Sequence, residues 1–167
     1  MLFRSRVVDA VHNAGGKIAP QLWQVGGMRG SGDIKIGDGD LKGYTPSGMN
    51  VPGKQNRHEM SDSEVQDAID AFVAGVVAAK DTGFDAVELH GAHGYLLDQF
   101  FWAGTNVRED RWGGSLADRG SFVAEIVRAS RAAVGSDFPI ILRYSQWKQQ
   151  DFTARLADTP ELDRKST

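Results

Sequence analysis

The sequence predicts an α/β protein built on a parallel sheet. Two observations carry that expectation: helix-length apolar periodicity alternates with short apolar runs, and the connections between those runs are long enough to be crossovers. A closed barrel and an open parallel sheet both satisfy this order. The 167 residues, 41% hydrophobic and 25% charged, suit one globular domain with a core of its own.

The elements follow in order. Val7, Val8 and Val11 share one side of a helix over Phe3 to Asn13, which Gly15-Gly16 ends. Lys17 to Trp23 reads as a short strand, weakened by Pro20, which cannot donate to a ladder. From about 25 to 60 the chain is rich in Gly, Pro, Ser, Asp and Asn without a sustained period, a long loop insertion of the kind that serves a site. Ser61 and Glu64 then form a capping box, with Met60 and Val65 as a hydrophobic staple. Val65, Ala68, Ile69, Phe72, Val73 and Val76 recur at helical spacing until Gly83. Phe84 to Leu89 is the next strand. A second long helix spans Leu116 to Val134, with Phe122, Val123, Ile126, Val127 and Val134 inward and Gly135 as its stop. Pro139 to Tyr144 is the last strand, and the polar tail from 146 to 167 offers no further one.

Composition excludes several functions. A net charge of −3, with 19 basic residues dispersed, gives no attraction toward nucleic acid or an anionic membrane. Arg4, Arg6 and Asp9 interrupt any apolar leader or membrane span at the start, so a soluble cytoplasmic protein is expected. The absence of cysteine removes disulfides, thiolate metal sites and thiol nucleophiles together. Redox chemistry would have to come from a bound organic cofactor or a metal held without thiolates.

The densest chemistry lies in His90-Gly-Ala-His-Gly-Tyr-Leu-Leu-Asp-Gln-Phe100, which sets two imidazoles and a phenol within six residues of a strand end. In a parallel strand alternate side chains share a face. Glu88 and His90 therefore oppose Val87 and Leu89, Ile141 and Arg143 oppose Ile140 and Leu142, and Gln21 shares its side with Ala19 and Trp23. Three strands each aim a polar residue, Gln21, His90 and Arg143, at what could be one cavity. Without partners such groups would be costly to bury, so something polar should fill that space. A metal is an alternative reading of Glu88, His90, His93 and Asp98, although such a site needs three converging ligands. Arg108, Asp110 and Arg119 read as a structural brace of the loop beside the site.

Gln21-Leu-Trp, the segment His90 to Phe100, Asn106-Val-Arg-Glu-Asp-Arg-Trp-Gly-Gly-Ser115 with Arg119, and Arg143-Tyr-Ser-Gln-Trp-Lys148 together resemble the old yellow enzyme family of FMN-dependent NAD(P)H:flavin oxidoreductases. The resemblance runs to about Leu162. It implies a partial (β/α)8 barrel, roughly the third to fifth strands with their helices, because a closed barrel takes about 250 residues; residues 1–167 would form a single incomplete barrel domain. It also implies FMN, with NADPH or NADH as electron donor and a small-molecule substrate. Gln21 would bind the flavin pyrimidine edge, and Arg143 would stabilise charge on the reduced ring beside His90. His90 and His93 would hold the substrate oxygen of an enal, enone or nitroalkene while hydride adds to its β carbon. Tyr95 would then protonate the α carbon, since a phenol is still protonated at neutral pH. Gln24 and Trp112 replace residues common in the family, His and Tyr, and would retune substrate fit. The competing reading is a truncated, non-catalytic remnant, or a half-barrel whose exposed edges pair with another copy or chain.

Overall fold

The computed structural model describes residues 2–29, 43–148 and 151–155, and for 2–3 and 151–155 the backbone alone. Residues 30–42 of the predicted insertion, and 149–150 and 156–167 of the predicted tail, lie outside the described residues.

Helix α1 (Leu2–Asn13) leads into β1 (Gln21–Leu22), which pairs in parallel with β4 (Val87–Gly91), and β4 in turn pairs in parallel with β5 (Ile140–Tyr144). The sheet order β1-β4-β5 is that of consecutive strands of a parallel barrel. Of the α1 valines only Val8 is buried, and Val7 stays exposed, so the apolar side is narrower than the periodicity predicts. Strand β1 is also shorter than the predicted Lys17 to Trp23. Before Gln21 the backbone offers carbonyls to the segment that enters β4: Ile18 accepts from the Asp85 amide at 3.0 Å and Pro20 from the Glu88 amide at 2.9 Å. Proline has no amide to return, which is why the ladder starts after it. The Asp85 carboxylate fastens the two strand entrances, receiving the Ile18 amide, Lys17 and His12. Those bonds, the Ile18 amide above all, hold it well below the usual carboxylate range.

Helices α2 (Asp62–Asp81) and α5 (Ser121–Val134) cover one face of the sheet. The capping box at Ser61 and Glu64 is formed as the spacing predicts, and Met60 and Val65 are both buried in the core. Ile69, Phe72 and Val76 of α2 join Phe122, Val123, Ile126 and Val134 of α5 over Val87 and Leu89 of β4, and Lys80 ties the helices by donating to the Val134 carbonyl at 2.7 Å. Phe100 and Phe122 stack with centroids 4.1 Å apart at the centre. The predicted helix from Leu116 to Val134 is divided at Gly120 into α4 (Leu116–Arg119), with its own Ser115–Asp118 capping box, and α5.

Three features depart from the sequence expectations. A short helix, α3 (Leu96–Phe101), follows β4 directly; all six of its residues are buried, so it carries no polar face for periodicity to reveal. The insertion contains a two-stranded parallel ladder, β2 (Tyr44–Thr45) with β3 (His58–Glu59). The tail does contain strands, since β6 (Trp147–Lys148) pairs antiparallel with β7 (Asp151–Arg155). Two-residue pairings have too few alternating positions to be legible. Trp112 is a core residue, 1% exposed, whose indole donates to Asp62 at 2.6 Å under the start of α2. Its part is to join the loop to α2, and it lies away from the cleft described below.

Two outcomes follow for stability. Phe122→Ala removes half of the central ring stack at a fully buried site and is expected to cost about 3–5 kcal/mol in urea unfolding. Glu64 accepts from His58 at 2.9 Å and from Ser61, and these bonds lower its pKa from 4.5 to about 2. A depressed carboxyl stabilises the fold above its unfolded pKa and loses that contribution as pH falls through its folded one. Thermal stability is therefore expected to drop from about pH 4.5 toward about pH 2, with a shallower slope in Glu64→Gln.

Candidate active site

The inner face of the sheet is polar for a simple reason. Val87 and Leu89 are fully buried under the helices, which leaves Glu88 and His90 to the opposite face. Registration carries the pattern across: Gln21 stands against Glu88, Glu88 against Ile141, and His90 against Arg143. The predicted convergence therefore exists. Gln21, Trp23, His90, His93, Tyr95 and Arg143 line a single open cleft of about 290 Å³.

Each group is held differently. The Gln21 amide donates to the Glu88 carboxylate, its neighbour in register. Because a carboxylate only accepts, one N–H of Gln21 is taken by Glu88, while its second N–H and its oxygen make no hydrogen bond among the described residues. Among the described residues the Arg143 side chain makes no hydrogen bond or ion pair, and the residue is exposed on the sheet face. His90 is 4% exposed, and its Nδ1 has no hydrogen-bond partner among the described residues. Burial, then the neighbouring His93 and Arg143, push its pKa down, so the ring is neutral at neutral pH.

His93 reaches the cleft through a backbone turn that a sequence does not advertise. It adopts φ 61°, the left-handed region, followed by Gly94 at 77°. A non-glycine residue there costs roughly 1–3 kcal/mol and persists only where its surroundings hold it. The Gly94 amide donates to Asp98 at 2.7 Å and the His93 amide lies 3.4 Å from Ser145 Oγ. As a result the His90 and His93 rings stand 5.1 Å apart and Tyr95, at the N-cap of α3, lies 5.4 Å from His90. Tyr95 meets Trp23 edge-on at 4.9 Å, and Trp147 lies 6.0 Å beyond His93.

Sequence reasoning assigned no role to Trp23, Trp147 or Lys148. Trp23 was reachable, since the alternation that selects Gln21 selects it too. Trp147 was hidden with the hairpin that carries it. Asp98, weighed as a metal ligand, instead pairs with Lys148; among the described residues no three His, Cys, Asp or Glu side chains cluster as a metal site would need. Gln24 turns to its own loop, accepting from the Gly26 amide, and stands outside the cleft. The brace is as expected for Arg108 and Asp110, which pair, whereas Arg119 donates to the carbonyls of Phe101, at 2.7 Å, and Gly114. No helix among the described residues is long and apolar enough to cross a membrane.

Known proteins resemble this chain in sequence and in fold. The chain is 41% identical over 141 residues to an NADH oxidase of Thermoanaerobacter brockii, covering 83% of this chain and 21% of that protein. It is 41% identical over 143 residues to a probable inactive reductase, easA, of Epichloe festucae var. lolii, covering 84% and 37%. The solved structure of a morphinone reductase N189A mutant in complex with tetrahydroNAD superposes with a TM-score of 0.77 at 28% identity, over 95% of this chain and 46% of that one. The chain thus spans less than half the length of each of these relatives, and its fold is a partial α/β barrel. The model of the NADH:flavin oxidoreductase / NADH oxidase family matches residues 4–162, and the chain belongs to that family.

Proposed function

We propose that this chain is the central part of a single barrel domain of an FMN-dependent NAD(P)H oxidoreductase that reduces activated alkenes: enals, enones and nitroalkenes. The observation that carries the reading is the cleft itself, in which an amide oxygen, a guanidinium, two imidazoles and a phenol meet on one sheet face. A buried His90 Nδ1 without a partner, and an arginine without an ion pair among the described residues, are what a polar ligand would satisfy.

The residues fit a flavin edge. Gln21, its nitrogen engaged by Glu88, offers an oxygen to an imide N–H, and Arg143 on the next strand but one supplies a fixed positive charge for an electron-rich ring. FMN, when bound, supplies a hydride that NADPH or NADH replenishes; the morphinone reductase complex with tetrahydroNAD supports a nicotinamide donor. The other roles belong to the chain. His90 and His93 hold the substrate carbonyl or nitro oxygen and draw electron density from the alkene. Tyr95 gives its phenolic proton to the α carbon as hydride adds to the β carbon, so the double bond is reduced and NAD(P)H oxidised. Trp23, edge-on to Tyr95, limits the side from which a substrate enters.

A second reading is favoured by one observation. Strands β1 and β5 are unpaired on their outer sides among the described residues, and Ile141 and Trp23 on the sheet face are 46% and 53% exposed. Such edges and faces pair with further strands. On this reading the chain is a half-barrel that associates, as a homo-oligomer or with another chain, without catalysis. Size-exclusion with light scattering separates a monomer from that assembly.

FMN titration followed by visible absorbance is the direct test: stoichiometric binding is expected, weakened at least tenfold by Arg143→Ala, and a preparation that leaves the FMN spectrum unchanged argues for the half-barrel. Tyr95→Phe is expected to lower alkene reduction about 10²–10⁴-fold while flavin reduction by NADPH keeps its rate in stopped flow. Equal loss in both half-reactions would remove Tyr95 as the proton donor.

A further inference from the structure

Fifty residues separate Asp98 in α3 from Lys148 in β6, yet their side chains form a buried ion pair with 2% and 0% of their surfaces exposed. We propose that Lys148 is a positioning residue for His93, acting through the carboxylate of Asp98; this rests on the cleft being the substrate site.

The argument begins with cost. Taking an ammonium and a carboxylate out of water is expensive, and well-packed apolar residues in place of a buried pair commonly leave stability unchanged or improve it. Fold stability alone therefore does not call for this pair. What an apolar pair cannot do is accept a hydrogen bond. Asp98 presents one oxygen to Lys148 and the other to the Gly94 amide at 2.7 Å. Gly94 is the second of two residues in the left-handed region, and the first is His93. The turn that aims an imidazole into the cleft thus hangs on a carboxylate whose own placement is set by Lys148.

The same contact orders the other side of the cleft. Along β6 the side chains alternate, so that Lys148 goes inward to Asp98 while Trp147 faces out, 40% exposed and 6.0 Å from the His93 ring. Ser145, just ahead of it, stands 3.4 Å from the His93 amide. The segment after β5 and the turn after β4 are therefore clamped at two points, one of them charged. The Gly94 carbonyl is tied as well, accepting from Gln99 Nε2 at 2.7 Å. Lys148 is not among the residues that line the cleft, and its side-chain hydrogen bond goes to Asp98, which makes its effect indirect.

The test uses the whole chain and residue-resolved hydrogen exchange by NMR, together with titration of 4-hydroxybenzaldehyde followed by the His93 ring signals. Lys148→Met is expected to speed exchange of the His93 and Gly94 amides at least tenfold relative to Val76 and Ile126 in the helices. The double variant Asp98→Leu with Lys148→Met is expected to recover the parent melting temperature but neither the Gly94 protection nor the phenol affinity, which falls about tenfold. If Lys148→Met does not fold, Lys148→Gln, which leaves Asp98 in place to accept from Gly94 but removes the charge that holds it, carries the comparison, with the same faster His93 and Gly94 exchange expected. Recovery of protection and affinity along with stability would show a merely structural pair and overturn the proposal, as would unchanged His93 and Gly94 exchange in Lys148→Met. A parent chain that binds neither FMN nor the phenol would overturn the functional reading of the cleft, and the exchange data would still decide whether Lys148 holds the turn.

Discussion

The in-register parallel pairing of β4 with both its neighbours places His90 beside Arg143 and Glu88 between Gln21 and Ile141, and nearly everything else in the molecule follows from that alignment. A slip of one residue would turn each side chain to the other face, sending Val87 and Leu89 into the cleft and Glu88 and His90 under the helices. Burial forbids that slip. Val87 and Leu89 are covered by α2 and α5, and a carboxylate and an imidazole in their place would have to be desolvated without partners. The hydrophobic side of the sheet therefore sets the geometry of the polar side.

Beyond the strands, the site is finished by short irregular pieces. The left-handed turn at His93–Gly94 is strained, and three neighbouring groups, Asp98, Gln99 and Ser145, bear on it. Strain maintained by this many restraints is common where side chains must be aimed. Helix α3 supplies two of the three, which gives a physical reason for so small a helix to be buried along its whole length. It acts as a plug that anchors the turn.

Much of this was legible before any coordinates. The capping box at Ser61 and Glu64, the apolar stripes of α2 and α5, and the alternation in β4 and β5 are local patterns, and local patterns survive in a linear string. Gln21, His90, His93, Tyr95 and Arg143 could be named from alternation and family resemblance together, and the structure brings all five to one cleft. The elements that escaped, α3 and the ladders β2–β3 and β6–β7, are those with no period to show. Lys148 escaped for a different reason, since a lysine in a polar tail reads as solvated until its partner fifty residues away is known.

The amino-acid order alone determined an α/β chain of parallel strands, the faces of its two long helices, and the identity of the polar groups on the sheet, because each depends on spacing within a few residues. Tertiary structure decided which of those groups face one another, that Gln21 rather than Arg143 takes the Glu88 carboxylate, and that a buried lysine reaches Asp98. Those outcomes depend on register and on which charges share a dry interior, and neither is set until strands distant in sequence have paired.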